Sequence, residues 1–159
     1  MNEPTRVYVA ATVLRLLLGW YMLVDGLKIL ASPTMHQNIV GFLMSAKTFP
    51  AFYAWFALPA NSWWVDPLNS WGIVLIGLAL LTGVGVRFAS WAGVLMMMLY
   101  YFPHYAFPIV TYGYIVEEHF IYAGVFALVA VWPAAQSFGL AKYLRRTSLG
   151  KVPLIRALL

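Results

Sequence analysis

The sequence predicts an all-α membrane protein, a four-helix transmembrane bundle with an aromatic interfacial or re-entrant loop between its first two helices. Three observations predict it. Of 159 residues, 63% are hydrophobic and only 9% charged, whereas a water-soluble domain carries about 25% charged residues. Four apolar stretches recur along the chain, and at roughly 20 residues per crossing they occupy about 80 residues, enough for one compact membrane domain with its loops. Between the first two stretches, residues 49–64 hold seven aromatics, too many for a free solvated loop.

The first span covers residues 7–31 and is closed by Ser32 and Pro33. It carries Arg15, Asp25 and Lys28. Arg15 interrupts what would be the apolar region of a signal peptide, so an uncut span is expected. The connection that follows contains Phe49, Phe52, Tyr53, Trp55, Phe56, Trp63 and Trp64, with breaks at Pro50 and Pro59. That pattern predicts a pair of short helices with rings at headgroup depth, acting either as an interfacial belt or as a lid over a hydrophobic site. The second span covers 70–86, closed by Gly85 and Arg87, and the third covers 88–102, ending before Pro103. Their short link predicts an antiparallel hairpin with Arg87 at its turn. Met96, Met97 and Met98 point in three directions around the third span, as adaptable packing does. The fourth span covers 118–132 and breaks at Pro133. Residues 1–135 thus form the membrane domain and 136–159 a tail.

Lys142, Arg145, Arg146, Lys151 and Arg156 lie in that tail, and no acid follows Glu118, so they equal the whole formal charge of +5. The body is neutral, which gives no basis for nucleic-acid binding. Phe138, Leu140, Ala141 and Leu144 alternate with the basic residues as on a surface helix suited to anionic lipid headgroups or to a partner subunit. Four spans put both termini on one side with Arg6, Arg87 and the tail, against Lys47 alone on the other. The positive-inside rule then predicts cytoplasmic termini in the cell's inner (plasma) membrane.

The absence of cysteine removes disulfide exchange, thiolate nucleophiles and Fe–S clusters. Neither haem nor a metal site is expected from His104 and His119. The ionisable residues inside the spans are the candidates for function, since each costs roughly 2.5–3.5 kcal/mol to insert. Arg15 lies about 10 Å deep with no carboxylate nearby in sequence. It is expected to snorkel or bond backbone carbonyls, or else to meet another subunit's carboxylate, a lipid phosphate or a ligand oxygen. Asp25 and Lys28 share one helix face. With His104, Glu117, Glu118 and His119 they can converge at one end of the bundle, with Tyr122 one turn deeper. Carboxylates paired with imidazoles and phenols exchange protons near neutral pH. The competing reading is that Glu117 and Glu118 only mark the water interface and cap the fourth span.

Residues 14–30 (LRLLLGWYMLVDGLKIL), with Arg15, Gly19, Gly26 and Lys28 in place, resemble the opening helix of DoxX-like proteins. Residues 77–87 (GLALLTGVGVR) resemble that family's Gly-rich hairpin, and residues 118–122 (EHFIY) the start of its last helix. The resemblance covers residues 7–135. It implies a four-helix membrane bundle and, for the DoxD branch, a small subunit of a thiosulfate:quinone oxidoreductase that works with a second protein. The net acidic polar groups here do not favour an anionic substrate such as thiosulfate. The leading expectation is therefore a subunit of an electron-transfer system that handles a quinone, its electrons coming from a partner or a substrate. Asp25, Glu118, His119 and Tyr122 would supply protons and hydrogen bonds. Arg15, Lys28, His104, Trp55, Trp63 and Trp64 would bind the quinone. The alternative is a non-catalytic accessory subunit of a larger respiratory or membrane oxidoreductase complex. A channel or transporter is weaker, because no inverted repeat or polar pore stripe is present.

Overall fold

The computed structural model describes residues 3–108 and 115–147, and every element among them is helical. Helix α1 (Glu3–Ala31) is followed by α2 (Met35–Met44), α3 (Pro50–Ala57), α4 (Pro59–Thr82), α5 (Val86–His104) and α6 (Glu118–Val131). A 3-10 turn (Pro133–Gln136) and a single turn of helix, α7 (Ala141–Leu144), complete the described chain. Lys151 and Arg156 of the basic tail lie outside the described residues. Two helices are long and apolar enough to cross a membrane, Thr5–Ala31 and Pro59–Thr82.

The sequence places the second span at 70–86, but the helix begins at Pro59, so Trp63 and Trp64 belong to its first turns and not to a loop. Proline fits the first helical position, where its missing N–H is not needed. Ser62, Asp66 and Ser70 follow at a spacing of four, and all three are buried. The sequence assigns Ser62 and Asp66 to the connection, but with Ser70 they form the inward face of a helix lying under α2. Only α3 is a separate short helix. It starts from Phe49, which takes a left-handed φ of 55°, a conformation costing a non-glycine residue about 1–3 kcal/mol, and the ring packs against Phe102 at 5.5 Å.

The turn between α4 and α5 is made by Gly83 and Gly85, with φ of 76° and 67°, the left-handed cap that glycine supplies most readily. Arg87 therefore sits in the first turn of α5 rather than at the turn itself, and α5 runs past the expected limits at both ends, to His104.

Packing divides the long helices into two pairs, with α1 resting mainly on α4 and α5 on α6. The first pair crosses nearly backbone to backbone: a Cβ at Gly77 would stand 2.5 Å from the Leu23 nitrogen. Small residues at such crossings let apolar helices approach closely in a bilayer. In the second pair Gly93 seats the ring of Phe126, which a Cβ would meet at 2.5 Å. Leu18, Met22, Ile73, Leu80, Met97 and Phe126 are among the buried residues joining the pairs into one core.

Helices α2 and α3 form a cap over one end. Their own small core consists of Leu43, Ala46, Tyr53 and Ala57, and burial pushes the Tyr53 phenol above its ordinary pKa. The cap is tied to the end of α5 by the Lys47 amide, which donates to the Pro103 carbonyl at 3.0 Å. Thr48 adds to this tie, its hydroxyl donating to the Tyr105 carbonyl and accepting from the Phe107 amide.

Candidate functional site

Because α4 and α5 each have a preferred partner, a groove remains between them. It widens beneath the cap into a cavity, and the whole space measures about 1020 Å³. Phe42, Leu43, Tyr53, Phe56, Trp64 and Val65 give the cap end an apolar lining. Polar groups reach the same space from five helices: Asp25 and Lys28 from α1, Asn38 from α2, Asn69 from α4, His104 from α5 and His119 from α6.

Each of these groups has a local reason for its position. Asp25 and Lys28 lie in the last turns of α1, half-buried and exposed respectively. Among the described residues no hydrogen bond or ion pair engages either side chain. His119 is held by Glu117, the N-cap of α6, whose Oε1 accepts from the His119 amide at 3.0 Å and meets Nδ1 at 2.6 Å. With Nδ1 occupied, Nε2 is the nitrogen left for a ligand, and the carboxylate on the other nitrogen fixes the orientation of the ring. The His104 and His119 rings lie 5.8 Å apart. Tyr100, which also lines the cavity, donates to the Asn69 Oδ1 at 2.5 Å, so the amide NH₂ of Asn69, itself a lining residue, is not used in that bond.

Other expected site residues lie elsewhere. Glu118 is exposed in the first turn of α6, and it is Glu117, expected in the polar cluster or as a cap of the fourth span, that caps the helix and positions the histidine. Tyr122 is half-buried against Tyr21, with ring centroids 5.1 Å apart, and does not line the cavity. Trp64 lines it, whereas Trp55 and Trp63 face outward, 51% and 74% exposed. Carboxylate and imidazole atoms of Glu117, Glu118 and His119 lie within 4.8 Å of one another and could together reach a cation. Glu117, however, already caps the helix and holds the imidazole.

Arg15 does not line this cavity and lies at the opposite end of the bundle from the cap. It is 2% exposed and donates through one guanidinium nitrogen to the carbonyls of Ala135, at 2.8 Å, and Phe138. Gly83 and Gly139 touch beside it, so close that a Cβ on Gly83 would stand 2.7 Å from the Gly139 Cα, and the Leu140 amide donates to the Thr82 carbonyl at 2.8 Å. The carbonyl ends of α4 and the 3-10 turn thus surround the cation with partial negative charge. Of the partners the sequence leaves open, backbone carbonyls are the ones found.

Sequence reasoning passed over one further pair. The Asp66 carboxylate is buried and bonded to Nδ1 of His36, whose side chain is 61% exposed, while its Oδ1 has no partner among the described residues. With the Ser70 hydroxyl contacting the Met35 sulfur, this pair fastens α2 to α4. A histidine thirty residues before an acid gives no periodic signal.

The DoxX family model matches residues 10–106. The chain belongs to the DoxX family. The matched stretch of this DoxX protein contains nearly all of α1 and all of α2 to α5, including Arg15, Asp25, Lys28, Asn69 and His104. Glu117 and His119 come from α6, beyond it. Neither the curated proteins nor the solved structures include a match to the chain. Family membership makes this a membrane protein of a kind often associated with oxidoreductase systems.

Proposed function

We propose that this DoxX protein is a four-span subunit of an electron-transfer system in the plasma membrane that holds a quinone in the cavity beneath its cap. The observation that carries the reading is an apolar cavity in which Asp25, Lys28, Asn69, His104 and His119 are gathered at one end. A quinone ring is apolar on its faces and accepts hydrogen bonds at its two carbonyls, so it needs such a mixture. Lys28, the Asn69 amide and the His119 ring supply donors to the carbonyl oxygens, and Lys28 offsets negative charge that develops on them during reduction. Asp25 and His119 are the groups suited to deliver protons. The electrons come from a partner subunit or a substrate of that partner.

In this reading α1, α4, α5 and α6 are the four spans. The ends bearing Arg6, Arg87 and the tail face the cytoplasm, where Lys142 of α7 and the Arg145 and Arg146 that follow it meet anionic headgroups, and the cap lies on the outer side.

The test is to purify the protein gently and extract what comes with it. Quinone is expected to copurify, and Asp25→Asn or His119→Ala should weaken its binding about tenfold, near 1.4 kcal/mol, with no change in thermal midpoint. Should large redox subunits copurify in fixed ratio and both variants keep full complex activity, the protein is an accessory subunit instead. A reporter fused after Leu159 that works only outside the cytoplasm would overturn the orientation.

A further inference from the structure

The groove continues well past the polar end. From Asn69 and Tyr100 it runs between α4 and α5, by way of Gly72, Ile76 and Ala92, to Val84 and Gly85 at the far turn. From His104 back to Gly85 is about 28 Å at the rise of an α-helix, close to the roughly 30 Å of a bilayer's hydrocarbon core. Its edge carries Leu75, Phe88 and Leu95, which are 59%, 72% and 62% exposed, so the groove is open along its side toward where lipid lies.

We infer that this groove seats the single long isoprenoid tail of the quinone, which enters sideways from the bilayer between α4 and α5, and that Gly72 and Ala92 set its width. The inference rests on the quinone reading of the cap-end cavity and adds the path of the ligand and the class of tail. The charge at the polar end selects this occupant over a phospholipid. One carboxylate, Asp25, and one ammonium, Lys28, leave that end formally neutral. A lipid phosphate would meet a carboxylate beside its only lysine, whereas a neutral dicarbonyl ring meets donors. The small residues are placed where bulk would fill the groove: a Cβ at Gly72 would contact only the flexible end of Met96, at 3.2 Å. Larger side chains there grow into the groove and leave the α1–α4 crossing untouched.

The decisive measurement is binding of a long-tailed ubiquinone and of its tail-less ring counterpart to the purified full chain in detergent micelles, each expressed as mole fraction in the micelle. The tail is expected to improve binding by at least about tenfold. Gly72→Leu and Ala92→Phe should abolish that gain while binding of the tail-less ring stays as in the unmodified protein, and thermal midpoints report whether the variants are folded. If either variant unfolds, Leu95→Trp at the exposed edge is expected to reduce the gain in its place. Equal binding of the two probes, or a gain that survives all folded groove variants, overturns the tail assignment even if the ring still binds. A tail-dependent interaction lost in the groove variants but unaffected by Asp25→Asn keeps the groove and removes the head assignment. Displacement of the long-tailed probe by phosphatidylglycerol at equal mole fraction shows a phospholipid site and refutes the inference.

Discussion

The two ends of helix α1 treat their charges in opposite ways. At the turn end Arg15 is enclosed, bonded to two carbonyls and surrounded by the touching backbones of Gly83 and Gly139. At the cap end Asp25 and Lys28 stand at the wall of a cavity with no hydrogen-bond or ion-pair partner among the described residues, and His119 is oriented but keeps one nitrogen free. A charge enclosed and bonded to the backbone through one nitrogen supports the fold, although its Nε has no partner among the described residues, whereas a charge with no bonded partner at a cavity wall is available to a ligand. The same helix, α1, carries both kinds, ten residues apart.

Substitutions can break or sharpen this contrast. The largest effect belongs to Arg15→Ala, which removes both carbonyl bonds and should lower stability by about 2–4 kcal/mol, read as thermal unfolding in detergent, with binding per folded molecule unchanged. A loss of quinone with stability intact would erase the distinction between the ends. Next is Gly77→Val, whose added carbons meet the Leu23 backbone and should cost about 1–3 kcal/mol by the same readout. Asp25→Asn should behave inversely to Arg15→Ala, within about 0.5 kcal/mol of the parent in stability but weakened in quinone binding. The smallest contrast is between neighbours. Trp63→Ala should be close to silent in stability and binding, while Trp64→Ala should weaken binding by about threefold, near 0.6 kcal/mol, as measured by titration with the long-tailed quinone.

Much of this arrangement was legible in the sequence. Composition identified a membrane protein, and Asp25, Lys28, His104 and His119 could be placed at one end from the direction of successive helices. Other features were not legible. The start of α4 was hidden because Ser62 and Asp66 read as part of the connection before a span starting at Ser70, and only the cap packed above them explains why a polar stripe points inward. The partners of Arg15 are main-chain carbonyls more than a hundred residues away, and a carbonyl belongs to every residue, so side-chain pattern carries no trace of which one is used. Asn69 was missed for a related reason. Its importance comes from the Tyr100 hydroxyl that fixes its amide, a contact between helices rather than a spacing within one.

The bonds from Arg15 to Ala135 and Phe138 also impose an order in time. Arg15 leaves the ribosome early, yet its acceptors are made only after the last long helix. Throughout synthesis the first helix holds a cation with no permanent partner, and it is secured when the chain near residue 138 folds back onto the Gly83 turn. That contact joins the first helix to the segment that follows the last long helix described, so a chain stopped before residue 138 would carry an arginine lacking these acceptors, the kind of defect by which an incompletely built membrane protein can be told from a finished one.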